Sequence, residues 1–481
     1  MVAGSSLHCQ GAEDRTDAFI GYQEAGKAVD VPSSPGKQQC IDKDPRCAKW
    51  AGDGECLANP YYMRSGCPES CQVDAACGTR FFHPQLAGSV SEEGTRQYIT
   101  RYPNVYRSCH GEHFRKDPSL GDYLLPSQRL RADPWVLLGS IGVGTYLGNE
   151  DEETDEHMTA AVISSFDKGF NVIDTASNYR NGRSEVSVGH ALNSIRTGVG
   201  VQRGFFFLST KAGFMQADIL HDLLAQGDIA SSDVVGGSHC IHPSCLEGSL
   251  ARSLASLNVQ VVDLLYLHNA AELQIPVIGR ETFLQRLRAA FVWCEEARKA
   301  GFIRSYGMAT WDGFRRPPSD PIYVALADVV RLAEGVGGQN HGFRYVQTPI
   351  NLGMPEAWRE AWQPAPAAPS DEPADGKAPD LVPLVEAAGR LGLGVFASGP
   401  LLEGELLKNA GLLAKLDQVE ELKNVQGQAT KLLQFARSTP GVLAVMVGHK
   451  RAKHMEANVA LARLPPLTKE QFLSVWQQMR S

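Results

Sequence analysis

Asp174, Lys211 and His268 each close a short apolar run, and Tyr179 follows soon after the first of them. Together these four residue types can assist the reduction of a carbonyl by a hydride donor. Hydride added to a carbonyl carbon leaves an alkoxide that needs a proton, and a phenol can deliver it. A tyrosine ordinarily titrates near ~10, so its anion needs stabilising if it is to serve at neutral pH. An ammonium at Lys211 is expected to lower the phenol's pKa, and a carboxylate at Asp174 to hold that ammonium charged and oriented. An imidazole at His268 adds a donor that aligns the substrate oxygen. Taken singly, each has an ordinary reading: an Asp after a strand caps a helix or turn, and a strand-end Lys or His is solvated or merely satisfied. Joint placement is what favours chemistry.

That placement matters only if the runs are strands of one sheet. Asn171–Ile173 leads to Asp174, Phe205–Leu208 to Lys211, and Val261–Leu267 to His268. Further runs cover Val136–Val143, Phe302–Met308, Tyr345–Gln347, Leu393–Ala397 and Val442–Val447. Between them lie helical stripes such as Leu246, Leu250, Leu254 and Leu257, spaced to face one side. Eight strands alternating with helices predict an α/β fold, a (β/α)8 TIM barrel over residues 88–481, whose strand ends open onto one active face. Two insertions interrupt the period. One spans Gln216–Ser238; the other, 354–379, is rich in Pro, Ala and acidic residues and is expected to be mobile.

Composition narrows the partners. A formal charge of -8 with no basic stripe argues against nucleic acid, and no apolar run is long enough for a membrane span. Residues 1–39 are polar, aperiodic and read as disordered. They hold no apolar signal-peptide core, which leaves the compartment open. Six of the 11 cysteines, Cys40, Cys47, Cys56, Cys67, Cys71 and Cys77, crowd into residues 40–77. Such density marks a small disulfide-held module of the oxidising, secreted kind. Six cysteines alone permit fifteen pairings. The other five read as ordinary thiols. His239-Cys240-Ile-His242-Pro-Ser-Cys245 matches no common zinc spacing, Cys109, His110 and His113 read as a loop cluster, and no metal site is expected. Gly142, Gly144 and Gly148 miss the dinucleotide fingerprint by one position.

Four ordered blocks resemble the aldo-keto reductase family: Gly142-Val-Gly-Thr-Tyr-Leu-Gly148; Gly169-Phe-Asn-Val-Ile-Asp-Thr-Ala-Ser-Asn-Tyr179 with Gly182-Arg-Ser-Glu185; Ser209-Thr-Lys211; and Asp263-Leu-Leu-Tyr-Leu-His268. The resemblance implies an NAD(P)H-linked oxidoreductase acting on a small aldehyde, ketone or alcohol, with Tyr179 as general acid and Asp174, Lys211 and His268 in support. It places cofactor contacts at Gly144, Thr145, Gln347, Ser398, Leu401, Gly448, Lys450, His454 and Asn458. The chain departs from the family where Ala309-Thr310 replaces Ser-Asn and Ser398 replaces an aromatic. Lys450 and Arg451 favour NADP over NAD. The cysteine module, with Cys47-Ala-Lys-Trp-Ala-Gly-Asp-Gly-Glu-Cys56 and Cys67-Pro-Glu-Ser-Cys71, resembles the ShK toxin-like (ShKT) domain. That implies pairs Cys40–Cys77, Cys47–Cys67 and Cys56–Cys71, and either a passive spacer or a dock for a protein partner. Two alternatives stand beside the reductase: a weakly active nucleotide-binding sensor or accessory subunit on the same barrel, and an extracellular binding protein acting through the ShKT-like module.

Overall fold

A computed structural model describes residues 42, 44–52, 67, 70, 86–102, 105, 107–109, 136–199, 201–365 and 380–480. The segment 1–39, Cys40, Cys56, Cys71 and Cys77, and His110 and His113 of the expected loop cluster lie outside them. The chain divides into two units, Met1–His83 and Pro84–Ser481.

In the first unit a short helix, Cys47–Gly52, is tied by the Cys47–Cys67 disulfide, one of the pairs expected by resemblance. Asp42 receives the backbone N–H of Ser70 at 3.0 Å, and Arg46 lies over the Trp50 ring at 4.4 Å. Among the described residues Trp50 and Ala51 pack against that buried disulfide.

The second unit is a closed barrel of eight parallel strands in consecutive order. They are β1 Ile141–Gly144, β2 Val172–Asp174, β3 Phe207–Ala212, β4 Val262–His268, β5 Ile303–Ala309, β6 Phe343–Pro349, β7 Gly394–Ser398 and β8 Val442–Val447. Helices follow each in turn: α1 Glu152–Asp167, α2 Arg183–Val199, α3 Pro243–Leu257, α4 Ala270–Lys299, α5 Leu326–Gly337, α6 Leu384–Arg390, α7 Gln428–Arg437 and α8 Ala452–Ala462. The runs are apolar at nearly every position because one face meets the helices and the other the barrel interior.

Strand periodicity then decides which side chains point inward. On β3, Leu208 joins the core under the helices, while Phe207 belongs to the interior cluster with Val172, Tyr266, Tyr345 and Phe396. Lys211 is four residues beyond Phe207 and shares its side. Asp174 lies two past Val172, His268 two past Tyr266, and Gln347 two past Tyr345. Registers of Asp174 with Ser209, Lys211 with Tyr266, and His268 with Ala309 bring these strand ends level.

Both insertions are more ordered than their composition suggests. Ala217–Gln226 in the first forms a helix, ended by Gly227 at φ 75°. In the second, Trp358 packs edge-on to Phe472 and Trp476. The buried Gln363 amide donates to the carbonyls of Phe314 and Val324, and Gln363–Pro364 pairs with Leu381–Val382. Within the expected insertion 354–379, residues 354–365 thus pack against the barrel, while 366–379 lies outside the described residues.

Candidate active site

At the C-terminal ends of the strands Lys211 donates to Asp174 Oδ2 at 2.6 Å and to the Thr175 carbonyl at 2.8 Å. Both charges are almost fully buried. Asp174 Oδ1 accepts from Ser209 Oγ at 2.7 Å and from Gln347 Nε2 at 3.0 Å. Every carboxylate oxygen therefore has a partner, as a buried charge requires. Lys211 Nζ lies 4.6 Å from the centroid of the Tyr179 ring, and the His268 ring meets Tyr179 edge-on at 5.8 Å. The four groups share one rim.

Tyr179 heads an unusual turn. Arg180 and Asn181 adopt left-handed backbone at φ 52° and 54°, and Gly182 follows at φ 87°. A non-glycine pair in that region costs energy and needs anchoring. Arg180 supplies the anchor, donating to the Asn149 carbonyl at 2.7 Å and to Asp155 at 2.5 Å.

Electrostatics depart from the expectation in one respect. Burial raises the Tyr179 pKa, and the opposing charge and hydrogen bonding of Lys211 do not reverse it. The expected net lowering is corrected: the phenol is held protonated, the state an acid needs. Burial works against the Lys211 ammonium, but the charges and hydrogen bonds of Asp174 and Tyr179 together outweigh it and the pKa ends raised. Burial, with Lys211 next, pulls His268 well below its usual value, so its ring is neutral. Its Nδ1 finds no partner among the described residues.

The rim opens into a cavity of about 620 Å³, within the size range of small-molecule sites. Asp174, Tyr179 and His268 line it, as do eight of the nine positions expected to touch a cofactor: Gly144, Thr145, Gln347, Ser398, Leu401, Gly448, Lys450 and His454. Asn458 is the exception. It is buried in α8, one turn beyond His454, and does not line the cavity; the rise of about 1.5 Å per residue carries it down the barrel wall. Thr310, where the family has Asn, is committed to the first turn of α4 and to its own loop. Its hydroxyl meets both oxygens of Glu272, at 2.9 and 3.1 Å, and accepts the Gly313 N–H.

Sequence reasoning missed Phe214, Trp311 and Tyr146, which also line the cavity. Each lies within three residues of a strand end, and that adjacency was the available signal. The reading of all five remaining cysteines as thiols is also corrected: Cys240 and Cys245 form a disulfide, while Cys294 is free and buried. The turn before α3 brings the pair together, and no metal-ligating group of three occurs among the described residues. Nor is any described helix long and apolar enough to cross a membrane.

A dinucleotide fits this site on two counts. Lys450 makes no ion pair among the described residues and shares the cavity with Arg451 and His454, a basic patch suited to phosphate. Gln347 spends its amide N–H on Asp174, leaving its carbonyl oxygen as the acceptor a carboxamide would need.

Residues 140–316 match the family model described as the Aldo/keto reductase family, and residues 39–73 match one described as ShK domain-like. Conotoxin Im14.3 of Conus imperialis is 30% identical over 67 residues, 14% of this chain and 88% of the toxin. Among solved structures, an aldo/keto reductase of Klebsiella pneumoniae in complex with NADP and acetate is 18% identical. It covers 73% of this chain and 94% of its own, with a TM-score of 0.48. The holo form of a Bacillus halodurans aldo-keto reductase is 18% identical, covering 71% and 93%, with a TM-score of 0.46.

Proposed function

With an aldo/keto reductase domain behind a ShK-like module as the premise, we propose that the chain reduces a small aldehyde or ketone to an alcohol, reversibly and with NAD(P)H. When bound, the reduced nicotinamide supplies the hydride. The observation that carries the reading is the Lys211–Asp174 pair beside a protonated Tyr179 at the wall of an open cavity.

Each residue then has a task. Tyr179 gives its phenolic proton to the oxygen of the reduced carbonyl. Lys211, kept cationic by Asp174, faces the phenolate that remains and limits the cost of forming it in a buried place. His268 is neutral, so it offers the substrate oxygen a hydrogen bond without adding charge. Gln347, Ser398, Leu401, Gly144, Thr145 and Gly448 line the bed on which the cofactor would lie, and Lys450 with Arg451 and His454 would take its phosphates. A cationic patch of this kind favours NADPH over NADH. Phe214, Trp311 and Tyr146 give the cavity an aromatic wall against which an apolar part of the substrate would pack.

The test is to titrate NADPH and NADH by fluorescence quenching, then screen carbonyls for loss of reduced-cofactor absorbance. Tight NADPH binding with carbonyl-dependent oxidation is the expected result. Binding without turnover on any carbonyl would turn the barrel into a nucleotide sensor, and failure to bind either cofactor would remove the reading.

A further inference from the structure

Among the described residues His268 Nδ1 has no hydrogen-bond partner, so the ring's orientation is set by other contacts. One source lies directly behind it. His239, on the segment between β3 and α3, is 2% exposed, and its Nε2 donates to the His268 carbonyl at 2.8 Å. A carbonyl can only accept, which fixes the hydrogen on Nε2 and leaves Nδ1 as acceptor. Nδ1 takes the Gln274 amide at 3.0 Å. Gln274 is itself fully buried and receives Arg286 at 3.2 Å. Burial drives the His239 pKa down to about 4, so the ring stays neutral in this tautomer.

Packing joins the same residues. The Phe214 ring stands edge-on to His239 at 5.2 Å and to His268 at 5.1 Å, and Phe214 lines the cavity. Gly213, at φ 139°, lets the two strand ends approach: a Cβ there would stand 2.9 Å from His239 Nε2 and 3.1 Å from the His268 carbonyl.

The backbone carrying His239 is strapped down on both sides. Cys240 N–H donates to the Gly213 carbonyl at 2.8 Å, and Met215 N–H to that of Ser238 at 2.8 Å. Beyond it, the Cys240–Cys245 disulfide ties the segment to the first turn of α3. Both sulfur-bearing residues are fully buried, so the bond is a strut rather than a surface switch.

We propose that His239, held by the Cys240–Cys245 disulfide, is a positioning residue for His268 in the reduction. It binds no substrate. It fixes the end of β4 against the end of β3 so that the His268 ring meets the carbonyl oxygen at a set angle, and small misplacements of such groups cost large factors in rate. The proposal rests on the reductase reading for its kinetic half only.

The experiment uses the full chain with His239→Ala, His239→Gln and the double variant Cys240→Ser/Cys245→Ser. Thermal melting and NADPH quenching confirm that each is folded and binds. Turnover is read together with hydrogen–deuterium exchange over residues 266–272. In His239→Ala kcat should fall about tenfold, with cofactor affinity unchanged and exchange at 268–270 accelerated. His239→Gln, which keeps a donor and an acceptor, should recover most of both. The serine pair should fall between, and wild type should keep its rate in a mild thiol reductant. Unchanged exchange in His239→Ala overturns the proposal, as does a glutamine variant no better than alanine. A wild-type chain with no carbonyl turnover removes the reductase reading, while the exchange arm still decides whether His239 positions His268.

Discussion

The barrel holds a buried ion pair at each end, and the two behave differently. At the N-terminal ends of the strands Arg203 donates to Asp263 Oδ2 at 2.6 Å. Asp263 also receives Leu208 N–H at 2.8 Å and Val90 N–H at 2.7 Å, and Arg203 reaches two carbonyls besides. Val90, Val136 and Leu138 join the interior cluster, and neither charge lines the cavity. At the other end Lys211 and Asp174 are equally buried, but tyrosine, glutamine and histidine surround them at the wall of an open cavity. Burial and pairing are common to both. A buried charge pair alone says little about function; the informative sign is a pair whose neighbours keep unspent hydrogen-bonding capacity facing a space a ligand can enter.

The largest expected effect tests the open end. Tyr179→Phe should lower carbonyl-dependent turnover on the order of 10²–10⁴ while NADPH quenching persists; turnover within a few-fold of wild type would remove the phenol from its role. Asp263→Ala, at the closed end, should do the reverse. Leaving Arg203 buried without its partner should cost about 3–5 kcal/mol in urea unfolding, with kcat per folded molecule preserved. If activity fell and stability held, the contrast between the ends would collapse.

A third site sharpens the comparison because its buried carboxyl is held by a hydroxyl. Glu185, on α2, accepts from Thr210 on the outer side of β3, and burial raises its pKa from 4.5 to about 7. The unfolded chain loses this proton first, so stability should fall as pH rises from about 4.5 to 7, by up to about 3 kcal/mol, and level off above. Glu185→Gln should flatten that slope in melts taken at pH 5 and pH 8; an undiminished slope would assign it to other groups. The smallest effect is at Lys450. Lys450→Ala should weaken NADPH by about tenfold, the worth of one charged hydrogen bond, and leave NADH nearly unchanged. Equal loss for both cofactors would place Lys450 away from the extra phosphate.

Much of this site was legible one residue at a time. Asp174, Lys211 and His268 were visible because an apolar run that ends in a charge or an imidazole is conspicuous, and because strand alternation carries them inward with Val172, Phe207 and Tyr266. Trp311 and Phe214 were not, since an aromatic just past a strand end reads equally well as core. Asn458, placed at the cofactor by likeness, is buried on α8 and does not line the cavity.

Local pattern, then, determined the strand count, the strand-end quartet and the presence of a cysteine-held module, because each follows from short-range periodicity and composition. Tertiary structure decided what depends on distance. The closeness of Cys240 and Cys245 turns on how the chain reverses before α3. The direction of the Tyr179 shift turns on burial winning over a neighbouring charge. The brace from His239 to His268 joins residues 29 apart in sequence. Desolvation and hydrogen bonding act through space, and no spacing along the chain encodes their balance.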